Sequence, residues 1–313
     1  MRHGKKDLFT AGIVTWLLPG VILALLHLGK AKPLSQSQPT ETLPPPLQAT
    51  IHVLTDEGMK KMEMNDYLLG VLLCEMPESF SIEAKKAQAV VARTYALRTA
   101  QQKDKHPQNA VCGDPSCCQG YLSPVQYTGS DEGIEQARQA VLQTQDQVLL
   151  YRGDLIDATY FSCSGGKTEA AVAVWGTDVP YLQSVASPGE EIASHYTDTV
   201  RFSREDFENA LSVQLTGEPA SWIGSAMYTQ GGGIANVTVC GKEFTGTQLR
   251  SLLNLRSTYI TMHADAEGIA VSTKGFGHRV GMSQYGAQAM ALAGHDYREI
   301  LLHYYAGVYI GKQ

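Results

Sequence analysis

The uncharged run LFTAGIVTWLLPGVILALLHL, Leu8–Leu28, constrains this chain more than any other feature. An apolar segment of about 20 residues crosses a bilayer as one helix, because its rise covers the hydrocarbon core. Arg2, Lys5 and Lys6 precede it and favour a cytoplasmic N-terminus, which places everything after Lys30 outside the cytosol. The reading is a cytoplasmic tail over 1–7 and a transmembrane anchor over 8–28. A cleaved signal peptide is the other reading, with Gly29 and Ala31 as its small residues. The long apolar core, the break at Pro19 and the charge of Lys30 favour the uncleaved anchor. Both readings have the body fold in an extracytoplasmic setting, where thiols can oxidise or bind metal.

Residues 30–49, in AKPLSQSQPTETLPPPLQA, are rich in Pro, Ser, Thr and Gln. Such a segment buries too little apolar surface to fold, and its prolines favour extended backbone, so it reads as a stalk. The globular body then spans 50–313, long enough for a sizeable core. A net charge of -6 offers no basic face for nucleic acid.

Within the body, TIHVLTDEG alternates as a strand does, and MNDYLLGVLL carries a helical apolar face with Asn65 or Asp66 placed as N-cap. SIEAKKAQAVVARTYALRTAQQ is a strong helix with Ser81 as cap and Glu83 at its positive end. DEGIEQARQAVLQT, SREDFENALS, TGTQLRSLLNL, SQYGAQAMALAG and DYREILLHYY read as further helices. IANVTVCGKEF and GIAVSTKGFGH read as strands, and QVLLYRGDLIDATYFS as a hairpin turned at Arg152–Gly153–Asp154. The expected fold class is α+β, mixed helices and short strands in one compact body.

Candidate chemistry begins at Glu75 in LLGVLLCEMPESF. Pro77 disfavours helix at Met76, so the helix ends there and leaves Glu75 on its last turn. Neighbours Leu72, Leu73, Cys74 and Met76 remove solvent, and the helix C-terminus disfavours negative charge; both effects raise the carboxyl pKa toward that of a general acid. The bland alternative is a glutamate turned to solvent. Arg93, among Ala89, Val90, Ala92 and Ala96, is a candidate to orient Glu75 or a substrate oxygen; a solvated arginine is its bland alternative. TYFSCSGGKTE offers Tyr160, Ser162, Ser164, Gly165, Gly166 and Lys167 after a strand, where backbone can approach a ligand closely. GFGHRVGMSQYGAQAMA offers His278, Ser283, Gln284 and Tyr285 at a strand-to-helix junction with free helix N-terminal amides. These small polar and aromatic groups suit sugar hydroxyls and ring faces.

The stretch HPQNAVCGDPSCCQGYL holds three of the six cysteines. His106, Cys112 and Cys118 offer one imidazole and two thiolates on a loop, a donor set that suits Zn²⁺, with Cys117 as the substitute for Cys118. A disulfide among Cys112, Cys117 and Cys118 and a free reactive thiol stay open beside it. Three protein ligands would leave a fourth position for water, which would permit metal-assisted hydrolysis.

Taken in order, VLLCEMP, KKAQAVVARTYAL, YFSCSGGKT, VWG…PYL, GFGHRVGMSQYGAQAMA and ILLHYYAGV resemble the stage II sporulation protein D family. The resemblance runs from about residue 51 to 310, and the anchor and stalk match as well. It implies a lytic transglycosylase of endospore-forming bacteria that cleaves peptidoglycan glycan strands already stripped of stem peptides, during engulfment. It implies a partner amidase/endopeptidase, a membrane scaffold protein, and a place in the mother-cell membrane facing the forespore. It places the catalytic acid at Glu75, with the other cleft residues in support. It also implies zinc held by His106, Cys112 and Cys118, as in clostridial members. Two departures stand out: Arg279 where Gly is expected, and Cys163 within the Ser–x–Ser–Gly–Gly segment. Three rivals are a zinc amidase, a catalytically silent glycan-binding scaffold, and a cysteine hydrolase using Cys163 with His278.

Overall fold

In the computed structural model, which describes residues 50–55, 58–102 and 105–313, the chain opens with an antiparallel hairpin of Thr50–Thr55 on Gly58–Glu63. The second strand runs directly into helix α1 (Met64–Glu75), whose N-cap is Glu63 with no side-chain bond, so neither Asn65 nor Asp66 caps it. A strand that ends on the cap residue leaves no loop in which Asn65 could turn back. The helix stops at Glu75 as expected, with Met76 extended before Pro77. The apolar run Leu8–Leu28, the tail 1–7 and the stalk 30–49 lie outside the described residues. Among the described residues no helix is long and apolar enough to cross a membrane.

Helix α2 (Ile82–Gln101) is the spine of the body. Ser81 accepts from the Glu83 N–H over 3.3 Å, and the helix is buried on nearly every side. Ala89, Ala92 and Ala96 join one core with Tyr67, Leu68 and Leu72 of α1 and with Val141 of α3 (Asp131–Gln143). Ala84, Ala87, Val90 and Val91 join a second core with Leu149, Ile300 and Tyr304. Small side chains let neighbours approach from both sides, which is why this helix shows no single apolar stripe.

The strand Gln147–Tyr151 turns at Arg152–Gly153 onto Asp154–Leu155 and pairs on its other edge with Tyr309–Lys312. After the short α4 (Ala171–Trp175), residues 197–274 build a third core around Phe207, Trp222, Val237, Leu249 and Val271. Helices α5 (Arg204–Leu211) and α6 (Gly246–Leu252) pack there against two three-stranded antiparallel sheets. Of their strands, Thr197–Phe202, Ile223–Tyr228 and Tyr259–Asp265 were not expected from the sequence. The first has no buried residue and the second is mostly exposed, so neither has an apolar face to read. The chain then returns: Met282–Ser283 pairs in parallel with Tyr160–Phe161, and α7 (Gln284–Leu292) and α8 (Tyr297–Tyr304) complete the second core.

Arg279 ties these parts together. Its backbone is left-handed, at φ 66°, where glycine is the ordinary choice. Its side chain is fully buried, and the guanidinium donates to the carbonyls of Ser164 (2.6 Å), Lys167 (2.9 Å) and Gly231 (2.6 Å) and pairs with Glu169 at 3.2 Å. Glu169 in turn accepts from the Gly233 N–H and the Thr229 hydroxyl of the third core's hairpin. The cation placed where glycine was expected is thus an internal tie.

Candidate active site

A cleft of about 420 Å³ opens where α1, the cysteine loop, the strand Tyr160–Phe161 and the start of α7 meet, within the usual range for small-ligand sites. Glu75 lines it together with Tyr160, Ser162, His278 and Gln284, five residues that the sequence brought forward separately. Cys117 and Cys118 form part of one wall, and α6 contributes Arg250.

Glu75 is half-buried, and its carboxylate accepts from the Gly120 N–H at 2.8 Å and from Gln284 Nε2 at 3.3 Å. Gln284 also donates to the Glu75 carbonyl at 3.2 Å, fixing both the backbone and the side chain. Burial pushes the carboxyl above the ordinary carboxylate range, and hydrogen bonds from Gly120, Gln284 and Tyr160 pull part of the way back. Of the expected neighbours Met76 is buried, while Leu72 and Leu73 face the core and Cys74 is exposed, so the apolar run alone does not account for the burial. It comes from the loop laid over the end of α1. A Cβ on Gly120 would stand 2.8 Å from Glu75 Oε1 and 2.7 Å from Cys74 Sγ, so only glycine brings its amide this close.

The loop is held from both ends. Leu122 donates to the Gly70 carbonyl at 3.1 Å, and the ring of Tyr121 stacks on Tyr67 at 5.9 Å. Buried Gln119 donates to Tyr67 and to the Ala92 carbonyl and accepts from Tyr160. Upstream, His106, Cys112, Cys117 and Cys118 present ligand atoms that all lie within 4.8 Å of one another. His106 Nε2 is 3.4 Å from both Cys117 Sγ and Cys118 Sγ. Tetrahedral zinc, with bonds of ~2.0–2.3 Å, sets its donors about 3.5–3.8 Å apart, so this donor set fits the ion. All six cysteines carry free thiols. The cluster thus presents four donors, Cys117 beside Cys118, and four protein donors would fill a tetrahedral zinc ion and leave no open position for a reactive water.

Several candidates take other roles. Arg93 does not reach Glu75: its buried guanidinium donates to the carbonyls of Val141 (3.4 Å) and Thr144 (2.8 Å) at the end of α3 and of Gln147 (3.2 Å) at the start of the next strand, where burial lowers its pKa to about 10. It clamps the turn between α3 and the strand Gln147–Tyr151, a role set by where α3 docks. The amides of Ser164, Gly165 and Gly166 do not face a ligand either; all three converge on the buried carboxylate of Glu190, with the Ser164 hydroxyl. Lys167 does not line the cleft. Ser283 caps α7 by accepting from Gly286, and the Tyr285 N–H donates to Ser162 O, so these amides at the helix start are used internally. The Tyr285 ring instead packs edge-on against Phe80 and His195. Cys163 is buried with its thiol pushed up to about 12, which disfavours the thiolate that a nucleophile needs.

The cleft also has parts that the sequence reading missed. Ser162 Oγ lies 2.7 Å from His195 Nε2, and His195 comes from a loop with no motif around it. Phe276 lines the cleft, and exposed Trp175 packs on His278. Burial and the charge of Arg250 push His278 down to about 4, so its ring is neutral near pH 7. Asp66, Glu78, Glu83, Asp157 and Glu169 all lie off the cleft lining. Among the described residues, Glu75 is the one acid that lines it.

Fold and site together define an α+β protein built round one carboxylic acid in a polar and aromatic cleft, with a His/Cys loop as a wall. The family model described as Stage II sporulation protein matches residues 56–151. The chain is 36% identical over 275 residues to stage II sporulation protein D of Bacillus amyloliquefaciens, covering 85% of this chain and 79% of that relative. The protein of the same name from Bacillus subtilis (strain 168) is 33% identical over 275 residues, covering 85% of this chain and 80% of the relative. A third relative, named Amidase enhancer in Bacillus subtilis (strain 168), is 31% identical over 298 residues, covering 77% of this chain and 39% of its own length. The chain belongs to the stage II sporulation protein D family.

Proposed function

We propose that the protein is a lytic transglycosylase that cleaves the bond between N-acetylmuramic acid and N-acetylglucosamine in peptide-stripped glycan strands during engulfment. The observation that carries this reading is the single acid among the described residues that line the cleft. A hydrolase of the ordinary two-carboxylate kind places a second acid at a fixed separation, as nucleophile or as base for water. One carboxyl suffices when the nucleophile belongs to the substrate.

Glu75, whose carboxyl burial biases toward the protonated form, donates its proton to the glycosidic oxygen as the C–O bond breaks and positive charge develops at the anomeric carbon. The carboxylate so formed accepts the proton of the muramoyl 6-hydroxyl, whose oxygen attacks that carbon and closes a 1,6-anhydro ring. Gly120 N–H and Gln284 Nε2 hold the carboxyl in place through both steps, and they stabilise its charged form between them. Tyr160, Phe276 and Trp175 offer ring faces to sugars, and Ser162, paired with His195, offers a hydroxyl. His106, Cys112, Cys117 and Cys118 would hold zinc, which would supply a structural cross-link in the loop that carries Gly120.

The chain's setting follows from the same reading: an anchor over 8–28 and a stalk over 30–49 hold the body outside the cytosol, in the mother-cell membrane facing the forespore. Its partners there are an amidase/endopeptidase that strips the strands and a membrane scaffold. The test is to incubate the full-length protein with peptide-free glycan strands and analyse the products by mass spectrometry. 1,6-Anhydromuramic ends are expected. Reducing ends alone would point to a hydrolase, and intact strands to a glycan-binding scaffold.

A further inference from the structure

Arg250 lies in the last turn of α6 and projects from the third core into the cleft that holds Glu75. It is half-buried, and burial lowers its pKa with no carboxylate near enough to offset it. The rest of the cationic surface nearby is accounted for. Arg256 packs over Phe276 and pairs with Asp198 at 3.1 Å. Arg279 is committed to Glu169 and three carbonyls. Arg250's guanidinium makes no hydrogen bond or ion pair among the described residues, although its five N–H donors sit partly out of water.

An incompletely solvated guanidinium without a partner is poised for an anion, and its planar fork matches a carboxylate in two hydrogen bonds. The other ionisable groups of the lining do not compete for that role. Glu75 is the one acid among the described lining residues and is already held by Gly120 and Gln284, and burial keeps the His278 ring neutral near pH 7, so Arg250 is the one strong cation among them.

We infer that Arg250 is a specificity-determining residue that binds the free carboxylate of the lactyl ether on the muramoyl ring. This rests on the transglycosylase reading above. When a stem peptide is attached, that carbon is an amide, which is neutral and bulky, and Arg250 has no charge to meet. When an amidase has hydrolysed the lactyl–alanine bond, a carboxylate appears on the sugar ring whose glycosidic bond is to break. Arg250 thereby selects stripped strands by charge, and an amide-hydrolysing step has to precede this one.

The test compares peptide-free strands whose lactyl carboxylates are intact with the same strands converted to methyl esters, using the full-length protein. Wild type is expected to favour the carboxylate form by about tenfold to a hundredfold in kcat/KM, the scale of a hydrogen-bonded charge pair. Arg250→Gln should erase that ratio, and Arg250→Lys should keep part of it, since an ammonium retains charge but not the fork. A wild-type ratio near one, or a ratio that survives Arg250→Gln, overturns the inference. Melting curves identify a variant that fails to fold, in which case Arg250→Lys carries the comparison. If wild type cleaves neither form, the transglycosylase reading fails separately. The same ratio is then read from equilibrium binding, where preference for the carboxylate strands supports Arg250 and indifference overturns it.

Discussion

The Gly120 amide donates to the Glu75 carboxylate over 2.8 Å, two residues after Cys118. This short connection joins the His/Cys cluster to the acid through Cys118–Gln119–Gly120, and it makes the loop part of the acid's environment. Burial by the loop raises the carboxyl pKa, while the loop's own amide moderates that rise.

Glu75→Gln should abolish strand cleavage, a loss of about 10²–10⁴-fold or more, while the folded structure persists. The variant should also be more stable than wild type at neutral pH. A carboxyl whose folded pKa lies above its unfolded one destabilises the fold once ionised. The penalty is absent below the unfolded value and complete above the folded one. Melting temperatures measured across pH should therefore converge in acid and separate as pH rises. Gln284→Met removes a donor that favours the carboxylate, so the alkaline limb of the pH–activity profile should move to higher pH.

Metal analysis should find one zinc per chain. Chelation should lower the melting temperature and the cleavage rate together, because Gly120 is released from Glu75 when the loop loosens. A zinc hydrolase would lose activity without any such loosening. Cys117→Ser should weaken zinc retention in competition with a chelator, whereas a three-ligand site of His106, Cys112 and Cys118 would leave it unchanged.

Arg93→Met should cost about 1.5–3 kcal/mol of stability, since it removes the charged donor shared by the carbonyls of Val141, Thr144 and Gln147. The cleavage rate per folded molecule should stay close to wild type, because the guanidinium serves α3 and not Glu75. Denaturant unfolding and an activity assay at matched folded protein separate the two effects.

Arg279→Gly relieves the left-handed backbone but strips the buried Glu169 of its cation, a change worth roughly 3–5 kcal/mol of destabilisation. Adding Glu169→Gln to that variant should recover part of the loss, because an amide is cheaper to bury than an unpaired carboxylate. Urea unfolding of the single and double variants measures the coupling.

Local chemistry was legible in the residues. Pro77 ends α1 so that Glu75 is its last helical residue, Ser81 caps α2, and the spacing of His106, Cys112 and Cys118 already named a donor set. Each of these rests on neighbours within a few positions, where backbone sterics and helix geometry dominate.

Partners far apart in the chain were set by docking. Arg93 and Thr144, Gly166 and Glu190, Ser162 and His195, and Arg250 and the cleft each join separate elements, with no periodicity to advertise the contact. For that reason a buried arginine beside the acid's helix looked like its orienting partner until α3 was seen to claim it. A Gly–Gly turn looked like a ligand cradle until Glu190 filled it. The sequence by itself determined which groups this protein has and where its helices stop. Tertiary structure alone decided which carbonyl, carboxylate or open cleft each buried polar group meets, because a donor removed from water bonds to whatever the packing of distant segments brings within reach.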